Sequence, residues 1–212
     1  MLSDGGWLVT GGWRPGRQTD TAQLYAGGDK WVQYPSLPVN ISHHCQVTVG
    51  TKVYTVGGRS DDGWSSSPMD SVYVTDVSQK DRGWTRLPFR LAERRAKHSC
   101  AVVDGKIYVI GGYTLFNYFI SVEVFDTNYP AAWTRGPDFP TPLSEPLAFV
   151  YRNTLYVVGG HGDNYAHNTN VYKLASSGKE WTIVKDVHVD NPAHDVHPAP
   201  LIHQDALHCK EE

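Results

Sequence analysis

Near the C-terminus of the 212-residue chain, His188, His194, His197, His203 and His208 stand among Asp186, Asp190, Asp195 and Asp205. Imidazoles mixed with carboxylates are the ligand set of zinc, iron and copper sites, which need donors at spacings that one helix, hairpin or loop can present together. Here the order is irregular. His197 lies close to where His44 and His98 stand in their own segments, and such histidines can satisfy backbone groups between strands instead. No metal and no cofactor is therefore expected. Nucleophilic catalysis has as little support, because neither Gly-x-Ser-x-Gly nor His-Glu-x-x-His occurs. Cys45, Cys100 and Cys209 form an odd set without Cys-x-x-Cys spacing, which fits reduced, buried thiols better than a disulfide framework. Arginines and aromatic rings in turn-rich segments remain. Arg14, Arg17, Arg59, Arg94, Arg95 and Lys97 could meet carboxylates, since a guanidinium fork pairs with them bidentately. Trp13, Tyr113 and Tyr165 are rigid rings that give contact area at low entropic cost.

The elements that must hold these residues repeat. Four apolar runs end in Gly-Gly: Trp7 to Gly12, Val53 to Gly58, Ile107 to Gly112 and Leu155 to Gly160. Their period is roughly 50 residues, with four short apolar segments in each, which is the spacing of a propeller blade. Each pair is followed by a tryptophan (Trp31, Trp84, Trp133, Trp181), and the stretch from Trp to the next Gly-Gly hardly varies in length. Variable length therefore falls between Gly-Gly and Trp, where a loop must sit. Composition agrees, since 20 Gly, 13 Pro and 12% aromatic residues suit strands and turns rather than helices.

Charge and hydropathy exclude several partners. A net charge of -3 argues against a nucleic-acid or anionic-membrane binder. No run approaches the ~18 apolar residues of a spanning helix, and Met1-Leu2-Ser3-Asp4 lacks a signal-peptide layout. A cytoplasmic protein is the expectation.

The motif Tyr-x-x-Gly-Gly, the third-strand ends Thr75-Asp76 and Phe125-Asp126, and the spaced Trp recur in order from about Trp7 to Leu207, and in this the chain resembles kelch repeats. The resemblance implies an all-β, kelch-type β-propeller of four blades, each a four-stranded antiparallel sheet. The expected limits are about 7–34 plus 198–207 for blade 1, 43–87 for blade 2, 98–136 for blade 3 and 146–184 for blade 4, with 185–197 a His/Asp-rich connecting loop. Either the strand at 198–207 docks on the first blade and closes the ring, or the blades form part of a larger propeller.

In kelch adaptor proteins that bind peptides, the position after Gly-Gly and an Arg some way before the next Gly-Gly line the recognition face. Here the first position carries Trp13, Arg59, Tyr113 and His161, and only Arg95 matches the second, its equivalents being Ile41 and Leu143. The resemblance thus implies an interaction module, not an enzyme, that binds a protein or peptide, with an acidic partner as one reading, through Trp13, Arg14, Arg59, Arg95, Tyr113, His161 and Tyr165. A carbohydrate-active enzyme on the same frame, a sugar-acid epimerase or galactose-oxidase-like, is the other reading. It would need Asp62, Glu93, Asp163 and His161 to converge on one cavity.

Overall fold

Runs of β-branched and aromatic residues form strands, and each Gly-Gly ends one of them. The computed structural model describes residues 2, 6–25, 27–28, 30–61, 66–115, 117–163 and 166–188. Blade 1 is a three-stranded sheet of β1 (Trp7–Thr10), β4 (Ala22–Tyr25) and β5 (Trp31–Tyr34), with a small hairpin of β2 (Trp13–Arg14) and β3 (Arg17–Gln18) inserted after Gly12. A short β6 (Ile41–Ser42) follows. Blade 2 contains β7 (Cys45–Val49), β8 (Lys52–Val56), β11 (Val72–Asp76) and β12 (Thr85–Arg86), in the order β12-β11-β8-β7. Between β8 and β11 lie β9 (Arg59–Asp61) and β10 (Ser66–Pro68), which pair with each other, and β9 also pairs with β6. Blade 3 is β13 (Ser99–Val103), β14 (Lys106–Ile110), β15 (Val122–Asp126) and β16 (Thr134–Arg135). Blade 4 is β17 (Leu147–Tyr151), β18 (Thr154–Val158), β19 (Asn170–Leu174) and β20 (Trp181–His188). All pairings are antiparallel. Strand β20 runs into the stretch expected to be a connecting loop. The remaining expected closing strand, 198–207, lies outside the described residues, as do Tyr165, Asp62 and the histidines from His194 onward.

Turn chemistry sets the registers. Asp104-Gly105 joins β13 to β14 with φ of 50° and 71°, and Arg152-Asn153 joins β17 to β18 with 46° and 60°. Positive φ at both central residues is the type I′ hairpin, whose twist matches that of its strands.

Links between successive blades explain the paired glycines. In each link one carbonyl, that of Ile41, Arg95 or Leu143, accepts from the second glycine of the blade behind: Gly12 at 2.8 Å, Gly58 at 2.9 Å and Gly112 at 2.7 Å. The next link residue pairs with the residue after Gly-Gly in the blade ahead: Ser42 with Arg59, Ala96 with Tyr113, Ser144 with His161. Where a link lies on each side, as at Gly57-Gly58 and Gly111-Gly112, backbone therefore presses on both glycines. A Cβ on Gly112 (φ +92°) would stand 2.8 Å from the Ala96 carbonyl, whereas one on Gly12 (φ +112°) would meet nothing within 4 Å. Both positions carry the same kind of dihedral strain, so the difference isolates the close approach. Gly112→Ala is expected to cost roughly 1–3 kcal/mol more than Gly12→Ala, read as the shift in urea midpoint between the two variants; equal shifts would remove the packing explanation.

Apolar residues fill the seams. Ala101, Ile110 and Val122 of blade 3 cluster with Phe139 and Leu143 of the link and Leu155, Val157 and Tyr172 of blade 4. Tyr54, Val56 and Val72 meet Leu91, Ile107, Val109 and Phe125 at the seam before it. The repeated tryptophans pack on the link preceding their blade. Trp84 donates to the Pro35 carbonyl at 2.8 Å, Trp181 to that of Pro137 at 3.0 Å, and Trp133 stacks on Phe125 beside Leu91. Trp31 is 51% exposed, with its ring 5.2 Å from that of Tyr25.

The cysteines correct the sequence expectation. Inner strands of successive blades run side by side, which brings Cys45 of β7 and Cys100 of β13 together as a disulfide with Cα atoms 5.9 Å apart. A count of cysteines along the chain has no access to that adjacency.

Candidate binding face

Strand direction gathers the loops that follow Gly-Gly at one end of the molecule. In blade 2, Cys45 at the start of β7 lies opposite Val56 at the end of β8, Val56 opposite Val72, and Tyr73 opposite Arg86. Blades 3 and 4 repeat the arrangement, and the links return to the same end. Trp13, Arg14, Arg59, Tyr113 and His161 therefore share one face.

A collar of link residues lines this face. His43, Lys97 and Glu145 each stand just before an inner strand, with φ of 53°, 54° and 56°. Lys97 N–H donates to the His43 carbonyl at 2.9 Å, and Glu145 N–H to that of Lys97 at 2.7 Å. Left-handed backbone is uncommon outside glycine and tends to persist where surroundings enforce it, often at binding sites. Repeat alignment would have found these three, because each is the polar residue two places after the link's inward-pointing side chain, Ile41, Arg95 or Leu143.

On the collar rests a chain of side chains crossing three blades. An Arg59 Nη donates to the Tyr113 hydroxyl at 2.7 Å, and the guanidinium carbon lies 5.9 Å from that ring's centre. Tyr113 neighbours Tyr118 at 6.0 Å, Tyr118 neighbours His161 at 5.7 Å, and His161 neighbours His167 at 6.5 Å. Lys97 Nζ is 2.6 Å from a Glu145 carboxylate oxygen, and His161 Nε2 is 3.5 Å from the other. The sequence pointed to Arg59, Tyr113 and His161 separately; the fold joins them through Tyr118 and Glu145, which it had not singled out.

Beside this belt lies a cleft of about 190 Å³ lined by Arg86, Arg90 and Arg94 with Ser60, Met69 and Asp70. All three arginines are exposed. Arg86 donates to the Ser71 hydroxyl at 2.7 Å, and Arg94 stands 3.8 Å from Asp70. Trp13, on its β2–β3 hairpin, is 65% exposed. Arg14 is exposed beside it.

Arg95 has a different place. Expected on the partner surface, it is 0% exposed, at a link position whose equivalents, Ile41 and Leu143, are also buried. Its guanidinium donates to the Gly111 and Ser121 carbonyls, to the Ser121 hydroxyl, and to Glu93 and Glu123 at 2.7 and 2.8 Å. Burial pulls its pKa down against the opposing charges of Glu123 and Glu93, and an arginine stays protonated under such pressure. Arg95 therefore holds the frame rather than a partner. The same contacts occupy Glu93, which also accepts from the Ser121 hydroxyl. Asp163, by contrast, lines a cleft of about 370 Å³ in blade 4 with His167 and Asn168.

His98 is buried, with Nε2 3.1 Å from the Val56 carbonyl, which realises the expectation that such histidines satisfy backbone between strands. Burial, with Arg95 nearby adding to it, holds its pKa down at about 3. Among the described residues, the group of His, Cys, Asp or Glu side chains close enough to share a metal is Cys45, His98 and Cys100.

Comparison with known proteins matches this architecture. A family model described as the KLHDC2/KLHL20/DRC7 Kelch-repeats domain covers residues 7–208. Kelch repeat protein M-T8 of Myxoma virus (strain Lausanne) is 29% identical over 165 residues, which span 77% of this chain and 30% of that protein. Kelch-like protein 36 of Rattus norvegicus is 29% identical over 167 residues, 73% of this chain and 26% of that one. Kelch-like protein terF of Aspergillus terreus is 28% identical over 164 residues, 71% and 34% respectively. The chain thus spans about a third or less of the length of these relatives. A solved structure described as "Structure of YjhT" superposes with a TM-score of 0.72 at 13% identity, over 86% of this chain and 66% of that one, a likeness of fold. No helix among the described residues is long and apolar enough to cross a membrane.

Proposed function

The chain belongs to the kelch-repeat family and its sheets are blades of a kelch-type propeller; on that premise we propose that it is a cytoplasmic protein-interaction module whose Gly-Gly end receives an acidic segment of a partner. One observation carries this reading: the belt from Arg59 through Tyr113 and Tyr118 to His161 crosses three blades beside a cleft holding three exposed arginines.

The geometry suits an extended peptide. The Tyr113 hydroxyl already restrains Arg59, so less rotamer freedom is lost when a ligand arrives. Arg86 and Arg90 can take carboxylates as bidentate forks. Trp13 offers a rigid ring at the edge of the face, the kind of side chain that dominates interface energetics. Within the collar Glu145 is matched by Lys97 and His161, so it does not set a bare negative charge against the ligand. In the cleft Asp70 faces Arg94.

The test is a peptide array that compares Asp/Glu-rich peptides with amide-substituted (Asn/Gln) counterparts, probed with the full chain. Acidic peptides are expected to be retained, and Trp13→Ala combined with Arg90→Glu to weaken them tenfold or more, about 1.4 kcal/mol. Both residues are exposed, so the melting temperature should stay within the small range of ordinary surface changes. Equal retention of acidic and amide peptides would remove the acidic partner from the proposal.

A further inference from the structure

The group at the seam of blades 2 and 3 has no part in the binding face. Cys45 opens the inner strand of blade 2, His98 stands just before the inner strand of blade 3, and Cys100 lies on that strand. One ligand atom from each lies within 4.8 Å of the others. His98 is 94% buried, being 6% exposed. Its Nε2 is engaged by the Val56 carbonyl, which can only accept, so that nitrogen carries the proton. Its Nδ1 is buried without a hydrogen-bond partner. A buried nitrogen without a partner, on a ring that brings one of its nitrogens within reach of both sulfurs, calls for an explanation.

We propose that in the reduced protein Cys45, Cys100 and His98 bind a thiophilic cation of the zinc type. Two thiolates and one imidazole are a known zinc donor set that leaves a fourth position for water or a small anion. Bond lengths of roughly 2.3 Å to sulfur and 2.0 Å to nitrogen place the donor atoms of a tetrahedral site roughly 3–4 Å apart, a spacing that the two sulfurs, bonded to each other here, must separate to reach. The Nε2–H bond to a backbone carbonyl is the usual outer contact of a metal-bound histidine, since it fixes the tautomer and aims the other nitrogen at the ion.

Proton and electron balance tie the site to redox state. With the disulfide closed, neither sulfur is a thiolate. A thiol reductant supplies two electrons and two protons to open it, giving two Sγ–H groups. The divalent cation then displaces both protons as two metal–sulfur bonds form. The disulfide and the metal site are thus alternative states of the same pair of sulfurs.

The experiment uses the full chain, reduced, freed of reductant without air, and titrated with Co²⁺ and then Zn²⁺. A thiolate-to-cobalt charge-transfer band that saturates at one equivalent and is displaced by Zn²⁺ is expected. Alkylation followed by peptide mass analysis should show Cys45 and Cys100 protected by Zn²⁺ at least tenfold, with Cys209 still modified. His98→Gln should weaken Co²⁺ binding tenfold or more, and Cys209→Ser should leave it unchanged. Should His98→Gln fail to fold, the protection pattern of the unaltered chain decides alone. Folded, reduced protein that shows no band, or a band without protection of both cysteines, overturns the site.

Discussion

Replacing Arg95 by Leu is expected to lower stability by about 3–5 kcal/mol, a large share of the ~5–15 kcal/mol that holds a typical domain together. The substitution leaves the Glu123 carboxylate, in a residue 4% exposed, without its cation. It also leaves the Gly111 carbonyl and the Ser121 hydroxyl without a donor they now use. The loss follows mainly from the stranded charge, because a buried ion pair by itself is weak evidence of net stability. Neighbouring seams show the alternative. Ile41 clusters with Tyr73, and Leu143 with Tyr172, and both tyrosines occupy the strand position that Glu123 holds in blade 3. The double variant Arg95→Leu with Glu123→Tyr installs the pair used by blade 4 and should recover most of the loss. Urea unfolding of the single and double variants decides it. A single variant that costs under about 1 kcal/mol, or a double variant no better than the single, would show that the pair does not act as described. Charge reversal at Arg95 is therefore a test of folding rather than of partner capture.

Phe139→Ala should cost about 3–5 kcal/mol. Phe139 is 1% exposed and sits in the link between blades 3 and 4. Its ring meets Tyr172 edge-on at 4.8 Å and Trp181 at 5.1 Å. Removing it opens a cavity bounded by strands of one blade and a link from another, where collapse would require two sheets to shift together. Phe139→Leu, which keeps most of the volume, should cost under about 1.5 kcal/mol. Tyr129→Ala, at a residue 82% exposed, should stay within about 0.5 kcal/mol. If Phe139→Ala unfolds at the same denaturant concentration as Tyr129→Ala, the link is not the wedge that joins these blades.

The repeat was legible because blade geometry is local. Gly-Gly must appear wherever a strand end meets two links, and its spacing survives in one dimension. Trp84, Trp133 and Trp181 were legible for the same reason. The kelch resemblance implies a partner-facing Arg95, whereas the structure buries it, as it buries Ile41 and Leu143 at the equivalent positions. Position in the repeat, not residue type, determines which way a side chain points.

By itself the sequence determined the strand period, the glycine ends and the residues Arg59, Tyr113 and His161 that follow them, because these depend on backbone sterics and hydrophobic alternation within one blade. Only the tertiary structure decided what meets across a seam: Cys45 with Cys100, Arg95 with Glu123, Arg59 with Tyr113, and Lys97 with Glu145. Those partners are 28 to 55 residues apart along the chain. Contacts over such distances are set by how one blade is stacked on the next, and no local pattern of residues encodes that stacking.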